Sequence, residues 1–412
     1  MEKCTMSLST NYTVRAVHCD HRASDEEVYE ALRRATKPLM RSWEPLERAR
    51  KIVIKPNMRF NPEHVAYFEG RRRELVDDAA LRATLRLLRE RTSAQLTVID
   101  DAMMPRQSEE SPYPVDVNYV PILEAFGVQF VNASDPPLVW RDVPGGGAMF
   151  ARYQINTHLA EADAVVSLAK MKSHAYMGVT LCLKNLFGFP PMMPHGKPRT
   201  YFHHLIRLSY VLPDLGMLTK PCLNIVEGLT GQSVREWGGE GRICDTLIAG
   251  DHPVATDACG TWLMGHDPAS DWPTPPFRRD RNALLVAAEH GFGTVDINEI
   301  DFETEVTRPL ATFDSKETDA DEMVLSWRRT ACEQGLFYRD HQKELVSRYA
   351  GEYIFLQDGE VVWHGPDPHR LGSRRELSGA KKDSALWMKF VDPDDVEGEH
   401  FEVYEEVLKG LG

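Results

Sequence analysis

One stretch reads Ala164-Val165-Val166-Ser167-Leu168-Ala169-Lys170-Met171-Lys172-Ser173-His174, and five residues later the chain continues Thr180-Leu181-Cys182-Leu183-Lys184-Asn185-Leu186-Phe187-Gly188. An apolar run suited to a buried strand leads straight into Lys170, Lys172 and His174. An unpaired charge beside an apolar core is costly, so this cluster needs partners, and an anionic ligand is one. Lysine and imidazole also do acid–base work once burial and like charge tune their pKa values. The expected roles are Lys172 and His174 as catalytic acid–base groups, with Lys55, Lys170 and Lys184 binding a carboxylate or phosphate. Asn57 and Asn185 would orient that ligand, and Asp101 or Glu227 would hold a lysine or act as a base.

These residues meet only if the elements carrying them converge. Strands are expected at 14–18, 51–55, 96–99, 128–131, 164–168, 223–226 and 246–249. Helices are expected between them: from the capping box Ser24-Asp25-Glu26-Glu27 to Thr36, then at 74–91, 118–126, 156–161, 201–212 and 253–264. Alternation of this kind predicts an α/β fold, a largely parallel sheet flanked by helices. Ligands in such sheets bind beyond the carboxyl ends of the strands. Four predicted strands end there in polar residues: Lys55-Pro56-Asn57, Asp100-Asp101, Lys170 to His174, and Glu227 before a glycine-rich loop through Gly231, Gly238, Gly239 and Gly241. The main domain is expected over 10–310, a linker or wrapping segment over 311–338, and a small α+β appendage over 339–412. The appendage carries a β-hairpin around Asp358-Gly359.

Each candidate has a plainer role to set beside the chemical one. A structural pairing of Lys55 with Asp100 or Asp101 is set at equal weight with its ligand-binding role, and Asn57 suits a turn after a strand. His195, His203 and His204 do not have zinc spacing; one of His203 and His204 is expected to reach the site, and no metal ligand is assigned. Residues 186–197 read as a lid or a long connection.

With 412 residues, of which 42% are hydrophobic, the chain can bury a large core, and its net charge of −14 argues against nucleic-acid or anionic-membrane partners. No window is apolar enough to span a bilayer, and the first residues lack a signal-peptide core, so a cytoplasmic protein is expected. The seven cysteines form no C-x-x-C pair, which disfavours a zinc ribbon or an iron–sulfur cluster. No G-x-G-x-x-G follows a strand, so a dinucleotide site is not supported. The cofactor is unknown, and homo-oligomer formation is left open.

The motif at 169–188 resembles the signature of the domain-of-unknown-function 362 family. Lys55-Pro56-Asn57 is similar to that family's first motif, and 223–231 and 249–258 resemble its later blocks. The resemblance spans residues 50–266 and implies an α/β domain. It places His203 or His204 where the family carries a histidine before an aspartate, here Asp214. Glu227 stands where the family has Asp. Many relatives carry ferredoxin-like cysteine clusters, which this chain lacks. The tail at 349–365 is similar to a second small uncharacterised domain. The first reading is an enzyme acting on a small anionic substrate. Its rivals are a metal- or cofactor-dependent oxidoreductase and a non-catalytic scaffold whose lysines are neutralised internally.

Overall fold

The computed structural model describes residues 11–58, 65–101, 114–191, 202–314, 319–366 and 387–411. Numbered along the chain, the strands of the main sheet are β1 (Tyr12–His18), β2 (Lys51–Pro56), β5 (Gln95–Asp100), β6 (Gln129–Asn132), β9 (Ala164–His174), β10 (Gly178–Thr180), β11 (Leu223–Ser233), β12 (Glu240–Gly250) and β13 (Ile300–Thr304). Two short hairpins pair β3 (Tyr67–Phe68) with β4 (Arg71–Arg72), and β7 (Leu138–Asp142) with β8 (Arg152–Asn156). A second, antiparallel sheet joins β14 (Tyr353–Gln357), β15 (Glu360–Gly365) and β16 (Trp387–Phe390).

The main sheet runs β13-β1-β12-β11-β9-β2-β5-β6, with β10 on β9. Its β11-β9-β2-β5-β6 run is parallel, as is β1 with β13; the long hairpin β11–β12 and the β1–β12 pair are antiparallel. The parallel strands are runs of branched apolar residues buried on both faces, as a sheet covered by helices requires. Ile52, Ile54, Val98, Val166 and Leu168 join one core, while Val53, Ile99 and Val165 join the other, following the two-residue period of a strand. The expected α/β class is what the chain adopts, with a mixed sheet of mostly parallel strands.

Several boundaries differ from the sequence reading. β9 does not stop at Leu168 but continues to His174, so Lys170, Lys172 and His174 lie within the strand. β11 runs to Ser233, and what reads as a glycine-rich loop is a hairpin leading into β12. The helix expected from residue 74 starts at Asp78, because the Asp77 side chain caps it by accepting from Ala79 N. The helix expected at 201–212 is Arg207–Thr219, with Pro213 inside it. The Ser24–Glu27 capping box forms as expected.

The C-terminal part differs most. Residues 311–338, expected to link or wrap, are largely taken up by the helix Asp321–Asp340. β13 pairs with β1 at the edge of the main sheet. The C-terminal layer does not hang free: Trp327, Tyr353, Trp387 and Tyr404 belong to the same buried cluster as Val53 and Val165 of the main sheet. Among the described residues no helix is long and apolar enough to cross a membrane.

Candidate functional site

Three parallel strands deliver polar side chains to one cavity of about 140 Å³, beyond the carboxyl ends of β2 and β5 and along the end of β9. Its lining includes Lys55, Asn57, Lys172, His174, Lys184, Asn185 and His203 from the expected set. Lys170, Asp101, His204 and Glu227 do not line it. His195, and the part of the expected lid that begins at residue 192, lie outside the described residues.

Lys55 forms a closed ion pair. Its Nζ lies 3.0 Å from Asp100 Oδ1 and donates to Pro56 O at 2.8 Å and Asn185 Oδ1 at 3.2 Å. The Asn185 amide in turn donates to Lys55 O at 2.6 Å and Ser167 Oγ at 3.1 Å, tying β2 to β9. Asn185, expected to orient a ligand, thus braces Lys55 while also lining the cavity. Gly188 packs so tightly here that a Cβ would sit 2.1 Å from Lys55 Cε and 2.3 Å from Asp100 Oδ1.

Lys170 is neutralised too, contrary to its expected role in binding substrate. Its Nζ donates to Glu227 Oε2 at 2.7 Å, Glu227 Oε1 at 3.0 Å and Thr230 Oγ1 at 3.2 Å, with both charged side chains fully buried. Burial raises the Glu227 carboxyl above its ordinary value even with Lys170 opposing. Asp101 accepts from Ser134 Oγ at 2.9 Å, and the His204 Nδ1 lies 3.2 Å from Leu205 O.

Lys172 contrasts with both. It is 1% exposed, yet among the described residues its Nζ makes one hydrogen bond, to the backbone Glu74 O at 2.8 Å, and it lies 4.5 Å from the centre of the Trp237 ring. Among the described residues no carboxylate lies within 4 Å of it. Burial pushes its pKa down to about 8, with Glu236 and Glu74 opposing and Lys170 and Lys55 adding to the depression.

His174 is fixed in one tautomer. Its Nδ1 accepts from Tyr176 N at 2.9 Å and Met177 N at 3.1 Å, so the proton of the neutral ring resides on Nε2. That nitrogen lies 3.8 Å from Glu236 Oε1. Burial drives the His174 pKa down to about 4, so the ring is neutral at pH 7 and works as a donor through Nε2. Burial opposes ionisation of Glu236 as well, but His174, the Ala175 N–H and Lys184 hold its pKa at about 2. His203 stacks loosely near His174, with ring centres 5.8 Å apart, and burial with Lys184 keeps it well below the ordinary histidine range. The Lys184 ammonium lies 4.7 Å from the centre of the Phe187 ring.

Glu236 and Trp237, in the β11–β12 turn, were missed from sequence. The only signal was an acidic–aromatic pair directly before Gly238-Gly239. Behind the cavity, Asp257 accepts from Cys182 N at 2.8 Å and Leu183 N at 2.7 Å, capping the one-turn helix that carries Lys184. Burial pushes Asp257 up to about 7. Asp214, which the family resemblance set after His203 or His204, does not line the cavity. It accepts from Met149 N at 3.0 Å, Phe150 N at 2.9 Å and Tyr153 Oη at 2.7 Å. Among the described residues, a tight group of possible metal-ligand atoms occurs at Asp20, His21 and Asp245, and not at His203 or His204.

Among solved structures, the lactate racemase apoprotein from Thermoanaerobacterium thermosaccharolyticum is 14% identical, with a TM-score of 0.35 over 61% of this chain and 56% of that one. A thylakoid-associated protein of Synechocystis sp. is 27% identical over 157 residues, which make up 37% of this chain and 44% of that relative. The chain thus spans less than half the length of this curated relative. The model of the domain of unknown function DUF362 matches residues 52–262, the segment that supplies every lining residue of the cavity. The chain belongs to the DUF362 family.

Proposed function

We propose that this protein is an enzyme whose cavity binds a small anionic substrate, with Lys172 as the acid–base group. The observation that carries this reading is the contrast among the lysines. Lys55 and Lys170 are held by Asp100 and Glu227, while Lys172 lines a cavity with no carboxylate within 4 Å among the described residues. A buried cation in that state gains most from an anion placed beside it. Lys184 adds charge for a carboxylate or phosphate, and His174 supplies a neutral donor through Nε2. A pKa of about 8 places Lys172 near the pH at which general acid–base groups work best. A cavity of about 140 Å³ suits a small molecule, since a dry cavity of about 150 Å³ holds benzene.

The scaffold alternative would be favoured by every lysine closed internally with no cavity left, and Lys172 beside the cavity does not supply that support. Isothermal titration with phosphate and with acetate tests the proposal. Binding that strengthens as pH falls through 8 and is lost in Lys172→Met is expected. Equal binding, or none, in both proteins would contradict it.

A further inference from the structure

We propose that the ligands of this cavity are carbonyl-bearing anions, oxo acids or aldehyde acids, and that Lys172 Nζ forms an imine with their carbonyl carbon. This rests on the reading of the cavity as an anion site and assigns the substrate class within it. The geometry singles out Lys172 as the amine. Imine formation needs a lysine that reaches a cavity, carries few hydrogen bonds and can give up its proton. Lys55 is occupied by Asp100, Pro56 O and Asn185, and Lys170 by Glu227 and Thr230. Among the described residues Lys172 donates one hydrogen bond, to Glu74 O, and its ammonium lies 4.5 Å from the centre of the Trp237 ring, while burial disfavours its charged form. Its pKa of about 8 leaves a usable fraction of free amine near neutral pH. Lys184, on the same lining, would hold the carboxylate or phosphate of the same molecule. The Nε2–H of neutral His174 is a donor suited to a carbonyl oxygen.

The step balances without a co-reactant. The Lys172 lone pair forms the C–N bond as the C=O π pair moves to oxygen. The oxygen then leaves as water, carrying both hydrogens of the amine, and a C=N bond remains. Nothing is oxidised or reduced, and hydrolysis returns the free lysine. An imine at this position is an electron sink for the neighbouring carbon, which connects the lysine to proton-transfer chemistry on the substrate.

The test is reductive trapping on the full chain. Glyoxylate, pyruvate and pyridoxal 5′-phosphate are each incubated with the protein near pH 8, reduced with borohydride, and mapped by peptide mass spectrometry. The expected result is one dominant adduct, on Lys172, with about a tenfold reduction in labelling when phosphate saturates the cavity. Lys172→Arg and Lys172→Met should lose it; the mapping on wild-type protein decides the matter even if either variant folds poorly. Phosphate binding is measured by calorimetry on the same preparation. Binding of phosphate without an adduct at Lys172 from any of the three carbonyls overturns the imine and leaves the anion reading standing. Absence of both overturns the two together. An adduct at Lys172 that phosphate does not suppress overturns the assignment to anions.

Discussion

Two buried lysines, Lys389 in the C-terminal layer and Lys172 at the cavity, are treated in opposite ways by the same fold. Lys389 Nζ lies 2.8 Å from Glu399 Oε2, and Glu399 Oε1 accepts from Arg207 Nε at 2.8 Å and Tyr404 Oη at 2.6 Å. Burial opposes the charge on Lys389, but Glu399 and Glu397 hold it above the ordinary lysine range. Burial also opposes ionisation of Glu399, yet Arg207 and Lys389 lower its pKa to about 2. Lys172 is equally buried, and its pKa moves the other way, to about 8. What separates them is the partner, not the depth. A lysine with a carboxylate at hydrogen-bond distance is a fastener between layers. One without it is held ready for a partner that arrives from outside the fold.

The largest effect should come from breaking the fastener. Glu399→Ala removes the buried carboxylate that Arg207 and Lys389 share, with Glu397 3.4 Å from Lys389 remaining, and urea denaturation should show a loss of about 3–5 kcal/mol. Lys172→Met should do the reverse. The unpaired charge at Lys172 costs about 3 kcal/mol below its folded pKa, so its removal should leave stability at pH 7 unchanged or raised. A loss as large as that of Glu399→Ala would erase the distinction between the two lysines.

The same contrast has a pH signature. The folded pKa of Lys172, about 8, lies below the ordinary value of 10.5. Between those values the unfolded chain binds more protons than the folded one, so this group makes stability rise with pH. Its cost is fully present below about 8 and disappears as pH approaches 10.5. The stability gap between Lys172→Met and wild type should therefore shrink across that window, as followed by urea denaturation at several pH values. Gly188→Ala, which forces a methyl into the Lys55–Asp100 pair, should cost about 1–3 kcal/mol by overpacking. Lys184→Met should have the smallest effect, weakening phosphate binding about tenfold in calorimetry, or about 1.4 kcal/mol.

The sequence showed the sheet better than it showed the site. The runs at β2, β5 and β9 were legible because their apolar residues are consecutive and branched. The far halves of β9 and β11 were not. Lys170, Lys172 and Glu227 look like strand ends in sequence, but each is buried inside a strand, where Lys170 and Glu227 pair with each other and Lys172 donates to Glu74 O. The helix Asp321–Asp340 has Val324, Trp327, Ala331, Cys332 and Tyr338 at helical spacing on its buried face. Acidic residues before it disguised that pattern as a linker. Convergence of the strand ends identified Lys55, Lys172 and His174 as neighbours. It could not tell which lysine was already paired, because Asp100 and Glu227 are far from them along the chain.

The most direct measurement is the titration of the Lys172 ammonium by lysine-selective carbon-13 NMR, with Lys172→Met used for assignment, in the absence and presence of phosphate. The account predicts a midpoint near 8 that moves upward when phosphate binds. A midpoint at or above 10.5 that phosphate leaves unmoved would show Lys172 to be paired like Lys389, and would contradict it.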